Sequence, residues 1–307
     1  MIKTKKINQN INWVQVSDCL PVEKKILKED YHLTTEMLYY ALDHHERPRM
    51  EYYDDEQLLL IIFDVAEPTR FNGDISSEPI GIMMRGTTLF TFTADQTNFV
   101  NALIQSIVDK LPKIQRDNLT PLDVVFKTLY QLAIQFFDYI NNINSIRTKI
   151  QRNPEGSTNK KSINQLLNLQ TNLVYFLTSL SANNDMLTML KRKLGKSFSD
   201  EDNDILEDII VEIQQGLSMA EMADQAAQQV ASAYSNLLDN NLNTTMKFLT
   251  VFSIVLTVPN IVFGFYGENV NLPYMNHPFA WQITLVISVI LIAIILLILR
   301  LSDFFNR

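Results

Sequence analysis

Two uncharged apolar runs, residues 248–267 and 279–299, close this 307-residue chain. At about 1.5 Å rise per residue, a helix of roughly 20 residues crosses the ~30 Å hydrocarbon core of a bilayer, so each run is long enough to span a membrane. The link between them is too short to be a domain. The two runs therefore predict one transmembrane hairpin, with spans at about 246–266 and 280–300 and a turn at 267–279. Lys247 stands at the entry of the first span and Arg300 at the exit of the second, with Arg307 beyond, whereas residues 268–278 contain no Lys or Arg. The positive-inside rule then places both termini in the cytoplasm and only the turn outside, as expected for a multi-pass protein of the plasma (inner) membrane.

Most of the mass lies before that hairpin and is ordinary in composition, with 20% charged residues and a net charge of −8. Basic stripes interleaved with aromatics are missing, so nucleic acid is not an expected partner. The single cysteine, Cys19, excludes an internal disulfide and a Cys-rich zinc cluster. Met1 to Lys6 is basic but runs into Asn8-Gln9-Asn10 with no apolar core, which is not the pattern of a signal peptide. His44-His45-Glu46 offers only two imidazoles, on adjacent residues that diverge around a helix. Gly81 and Gly86 have the spacing of a phosphate loop, but Thr87 stands where its lysine must be. With no nucleophile-base spacing either, neither an enzyme nor an organic cofactor is expected.

Residues 1–118 predict a cytosolic α/β/α domain. Short runs rich in Ile, Val, Leu, Phe and Tyr at 11–16, 49–53, 58–65, 78–84 and 88–93 read as strands, and turn residues such as Asn72-Gly73-Asp74 separate them. The short links among the last four favour antiparallel pairing. Helical patterns at 21–28, 34–43 and 95–110 would cover the sheet. Residues 119–245 predict a long-helix bundle and stalk: one helix from Pro121 to about Arg152, ended by 153–157, and a second from about Lys161 to Leu194. A third opens at a Ser199/Asp202 capping box and meets no proline until Pro259, so stalk and first span read as one helix. Ala220, Ala223, Ala226, Ala227, Ala231 and Ala233 in its middle would let other helices, or other copies, approach closely. The fold class is α+β, ending in the transmembrane hairpin of 246–307.

A helix that only anchors a protein needs no polar residues. The first span nevertheless has Asn243, Met246, Thr250, Ser253, Thr257, Asn260, Gly264 and Gly267 at intervals of three or four, along one helical face. In the second span only Thr284 and Ser288 are polar between 283 and 299. The first helix is thus expected to line something polar. One such helix cannot enclose a pore, so a cyclic homo-oligomer follows.

Tyr266-Gly267-Glu268-Asn269-Val270 resembles the Tyr-Gly-Met-Asn motif that closes the first span in the CorA family of divalent-cation channels. Met246-Lys247-Phe248-Leu249-Thr250 resembles that family's entry into the span, Pro273 its proline after the motif, and Arg47-Pro48-Arg49-Met50-Glu51-Tyr52-Tyr53 an early strand. The resemblance implies a funnel-shaped homopentamer passing Mg²⁺, and Co²⁺ or Ni²⁺, passively down its gradient. It implies that Asn269 receives hydrated Mg²⁺ at the outer mouth, beside Gly267 at the tight turn, and that Asn243, Met246, Leu249, Ser253, Thr257, Asn260 and Gly264 line the pore. It also implies that Asp208 belongs to an intersubunit site where cytosolic Mg²⁺ acts as regulator and holds the channel shut. Mg²⁺ sheds its waters reluctantly, which suits a lining of neutral oxygens. Glu268 departs from the family's Met and would ring the mouth with carboxylates, which leaves a proton-coupled zinc transporter of the same fold as an alternative. A membrane-anchored sensor or scaffold is the reading from outside transport.

Overall fold

Alternation along the strands of the N-terminal region sorts one set of side chains to each face of a sheet. The computed structural model describes residues 1–67, 77–152, 160–268, 273 and 278–302, with the side chains of 160, 161 and 280 left aside. The sheet has six strands, β1 (Ile2–Lys6), β2 (Asn12–Ser17), β3 (Arg49–Tyr53), β4 (Leu58–Ala66), β5 (Ser77–Arg85) and β6 (Thr88–Thr93), in the order β1-β2-β6-β5-β4-β3. Neighbours pair antiparallel except β2 and β6, which run parallel from Asn12↔Thr88 to Ser17↔Thr93. Val14, Val16, Leu58, Leu60, Ile62, Met83, Phe90 and Phe92 form one buried face beneath α1 (Pro21–Glu29) and α2 (Thr35–Leu42), joined by Leu27, Met37 and Leu38. The intervening Trp13, Leu59, Ile61, Phe63, Ile82 and Leu89 are buried as well. That second face meets α3 (Phe99–Lys110): Trp13 Nε1 donates to Thr91 Oγ1 at 3.1 Å, and Thr91 donates to Asn101 Oδ1 at 2.7 Å. Burial on both faces gives β4 its nearly continuous apolar run, and the domain is α/β/α as expected.

β1 is an addition to the sequence reading. Its Lys3, Lys5 and Lys6 mask a strand, yet charge is what an edge strand needs to discourage further pairing. Past the short α4 (Lys113–Asp117), helix α5 (Pro121–Arg152) opens on a reciprocal cap, Thr120 N donating to Asp123 Oδ2 at 2.8 Å and Asp123 N to Thr120 Oγ1 at 3.2 Å. Helix α6 (Lys160–Leu194) returns. The expected turn at 72–74 and loop at 153–157 lie outside the described residues.

Helix α7 (Asp200–Tyr266) is one 67-residue helix, roughly 100 Å long by rise per residue. The expected cap is formed, with Asp202 N donating to Ser199 Oγ at 3.1 Å and Ser199 N to Asp202 Oδ2 at 3.2 Å. Its buried positions Leu206, Ile209, Ile213, Gly216, Ala220, Ala223, Ala227 and Val230 alternate steps of three and four, the 3.5-residue period of a coiled-coil seam. A Cβ at Gly216 would come within 3.1 Å of the Phe137 ring of α5 and 3.4 Å of Leu180 on α6, so small residues here let three helices close together. Helix α8 (Ala280–Leu301) completes the chain. Two compact units result, Met1–Ala231 and Ser232–Arg307.

Candidate functional site

Within the second unit, α7 and α8 each contain a stretch long and apolar enough to cross a membrane. The buried side chains of the pair are Val258 and Val262 on α7 and Thr284 and Ser288 on α8, all at 8% exposure or less. Their four-residue spacing marks the face each helix turns to the other. The hydroxyls on α8 bond to their own helix, Thr284 to Trp281 O and Ser288 to Thr284 O, both at 2.9 Å. The two polar residues of the second span are thus small, self-satisfied packing residues, as neutral groups inside a bilayer must be.

Asn243, Met246, Leu249, Ser253, Thr257, Asn260 and Gly264 are all exposed. At about 100° per residue, the centre of this stripe lies roughly 150° around α7 from Val258 and Val262. The centre of the polar face is therefore turned from the buried Val258/Val262 face, while Leu249, Ser253 and Thr257 border an open groove whose far side includes Ile295 of α8. Thr257 Oγ1 donates to Ser253 O at 2.7 Å, and Thr250 Oγ1 to Met246 O at 2.8 Å. Each hydroxyl spends its proton on its own helix and turns lone pairs outward, so the stripe presents acceptors. Gly264 has nothing within 4 Å of where a Cβ would stand, leaving a bare backbone on the same face.

Gly267 ends α7 by donating to Phe263 O at 2.9 Å and Gly264 O at 3.1 Å. Its φ is not in the left-handed region; space is what restricts it, since a Cβ would sit 3.1 Å from Phe263 O. Glu268 follows, exposed. Asn269 lies outside the described residues.

Asp208 is far along α7 from the stripe, in the first unit, and exposed. One turn on, Glu212 accepts from Tyr130 Oη at 3.5 Å, and its charge raises the pKa of the phenol. One residue before, Glu207 pairs with Lys191 at 2.6 Å. Among the described residues no cluster of three or more His, Cys, Asp or Glu could hold a metal ion. His44 and His45 lie in the turn that follows α2, not on a helix, and join no such group among the described residues.

A buried polar node escaped the sequence reading altogether. Asp64, near the end of β4, accepts from Ser179 Oγ at 2.6 Å, while the Asn183 amide clasps its backbone, Asp64 N to Oδ1 at 3.0 Å and Nδ2 to Asp64 O at 2.9 Å. Strand β3 pairs only as far as Ile62, so Asn183 completes the ladder one step further on. Burial, with Glu78 adding to it, pushes the Asp64 carboxyl up to about 6 against the pull of Ser179. No local pattern could have found it, because its members are more than 100 residues apart.

Comparison with known proteins gives a consistent picture. The family model for the CorA-like Mg²⁺ transporter protein matches residues 8–301. The cobalt/magnesium transport protein CorA of Methanocaldococcus jannaschii is 26% identical over 291 residues, 94% of this chain and 90% of that one. The complete structure of the CorA magnesium transporter from the same organism superposes with a TM-score of 0.81 at 23% identity, covering 95% of this chain and 90% of that one. The ZntB cytoplasmic domain from Vibrio parahaemolyticus shares the fold with a TM-score of 0.60 at 14% identity, over 76% of this chain and 89% of that one.

Proposed function

Because this chain belongs to the CorA-like Mg²⁺ transporter family, we propose that it is a passive channel for hydrated Mg²⁺, with Co²⁺ or Ni²⁺ as further cargo. The observation that carries this reading is the exposed acceptor stripe on α7, centred away from the buried Val258/Val262 face. A helix face of that kind is costly in lipid and useful only where copies surround water. Five copies around an axis, the number the family resemblance implies, would bring Asn243, Met246, Leu249, Ser253, Thr257, Asn260 and Gly264 to a common path, with Asn269, Gly267 and Glu268 at its outer end. The waters around Mg²⁺ point their hydrogens outward, and the lone pairs of Thr257 and the Asn260 amide oxygen receive them without stripping the ion. A cage of carboxylates would bind too tightly to release it.

In this proposal the division at 118 and 245 separates sensing domain, stalk and pore, both termini are cytoplasmic, and the membrane is the plasma membrane. Occupation of Asp208 by cytosolic divalent cations closes the pore. Rescue of growth in a Mg²⁺-uptake-deficient cell tests the function, with Asn269→Ala as control; no rescue by protein that reaches the membrane overturns it. Flux in liposomes separates a channel from a scaffold. Glu268 favours one second reading, proton-coupled Zn²⁺ transport, and Zn²⁺ uptake that depends on a pH gradient would select it.

A further inference from the structure

The Asp64 node reaches the stalk through a single helix. Asp64 is part-buried between Phe63 and Val65, which are fully buried, and the two α6 residues that hold it, Ser179 and Asn183, are buried as well. Ser179 spends its proton on Asp64, so Ser77 Oγ on β5 donates in turn to Ser179 Oγ at 2.6 Å. The next residue in each case lies about 100° further round α6 and holds α7 instead. Leu180 stands 3.4 Å from where a Cβ on Gly216 would be, and Asn184 Oδ1 accepts from Gln214 Nε2 at 3.2 Å. One helix thus grips the sheet with residues 179 and 183 and the stalk with residues 180 and 184.

Among the described residues Ser179 bonds the Asp64 carboxyl and no lysine, arginine or histidine does. The charged groups on the elements packed here are acidic or committed elsewhere. Glu78 on β5 and Glu67 just past β4 are acidic, and on α5 burial, Asp138 and Glu67 raise the Tyr139 phenol. Arg49 on β3 is engaged by Glu46 and Glu51, and Asp185 on α6 is exposed. On α2, Glu36 accepts from Tyr40, and Asp43, His44 and His45 follow that helix. Ionisation of Asp64 therefore leaves a charge compensated by one hydroxyl. Protonation lets the chain reverse, Asp64 donating to Ser179 and Ser179 to Ser77, with every bond kept. The grip is firm when Asp64 is protonated and loosened when it is charged.

We propose that Asp64, Ser179 and Asn183 form a proton-operated latch that fastens the sheet, through α6, to the stalk of α7 and slows conduction when the cytosol is acid. Opening a pore bounded by α7 moves that helix, and a helix fastened to the sheet moves less. The effect on conduction rests on the channel reading; the latch itself does not.

The test is hydrogen exchange of the purified full-length protein in detergent, corrected for the intrinsic effect of pH, beside Mg²⁺ flux in liposomes with equal pH on both sides. Backbone amides of residues 176–190 and 209–220 should be protected at least about threefold more at pH 5.5 than at pH 7.5, with a midpoint near 6. Asp64→Asn should give the high protection at both values. A merely structural role would leave the midpoint where it is, whereas the latch predicts two opposite displacements. Ser179→Ala removes the bond that favours the charged form and should raise the midpoint; Glu78→Gln removes a repelling charge and should lower it. Flux should be about threefold lower at pH 5.5 than at pH 7.5, and low at both in Asp64→Asn. Protection that does not change with pH overturns the proposal, as does a midpoint indifferent to both Ser179→Ala and Glu78→Gln, or flux that ignores pH while protection follows it. Absence of flux at every pH, with the change in protection intact, would overturn the channel reading alone.

Discussion

Thr257 shows how a single side chain can serve a pore without binding its cargo. Its proton is committed to Ser253 O, so the oxygen acts only as an acceptor toward the open face. Thr257→Val keeps the shape and removes the oxygen, and Mg²⁺ flux in liposomes should fall about tenfold, while Thr257→Ser retains it. Equal flux through both variants would remove the hydroxyl from the conduction path. Asp64 makes a different argument, about pH. Its folded pKa of about 6 lies above the ordinary 3.8, so the folded protein holds this proton more tightly than the unfolded chain does. The stabilisation from that proton is complete below about pH 4 and is lost as pH rises through about 6. At neutral pH the buried charge costs up to about 3 kcal/mol relative to the protonated group. Asp64→Asn abolishes this dependence and keeps an oxygen for Ser179. The melting temperature of the variant, measured against the unaltered protein, should therefore gain steadily between about pH 4 and pH 7. A constant difference across that range would show that Asp64 titrates normally.

At the scale of elements, what could be read in advance was whatever has a local period. The apolar runs of β2 to β6, the amphipathic pattern of α5 and the Ser199/Asp202 cap are all short-range signals, and each is present where its residues place it. Strand β1 was invisible because three lysines in five residues look like a solvated tail until β2 supplies a partner. The seam of α7 was half visible. Ile209 and Ile213 announce a buried face, but Gly216, Ala220, Ala223 and Ala227 carry it onward with too little apolar surface to register as hydrophobic. Their smallness is the content of the signal: at Gly216 a Cβ would already press on Phe137 of α5 and Leu180 of α6. Ala220→Leu forces that packing apart and should destabilise the folded protein by about 1–3 kcal/mol in denaturant unfolding. Glu221→Leu, one position round the helix and exposed, should change it by no more than about 0.5 kcal/mol. Similar losses from both would mean that the seam is not closely packed. The polar stripe was legible for a related reason, since hydroxyls and amides stand out against twenty apolar neighbours, and what the sequence could not tell was which way it faces. Val258 and Val262 supply that direction.

At the scale of the molecule, one chain leaves too much uncovered to be complete. From Ser235 to Met246 every residue of α7 is exposed, including Leu237, Leu238 and Leu242, and the stripe continues the same condition through Gly264. With the span expected to open at about 246, Leu238 and Leu242 would meet water rather than lipid in a single chain. Copies of the same helix around a common axis would cover them and, in the same arrangement, enclose the acceptor face. Cross-linking tests this directly. Cys19→Ser removes the only thiol, and Leu249→Cys then places one new thiol on the stripe, at a residue 60% exposed in the single chain. A disulfide needs Cα atoms within about 7 Å, a distance that facing stripes reach only near a narrow axis. Oxidation of native membranes should convert the variant to a covalent dimer, since one thiol per chain can link only two copies, and should cut Mg²⁺ flux until reductant restores it. The same exchange at Val262, which packs within its own chain, should give no dimer. Dimer at Val262 and none at Leu249 would turn the helix around, placing the pore on the wrong face.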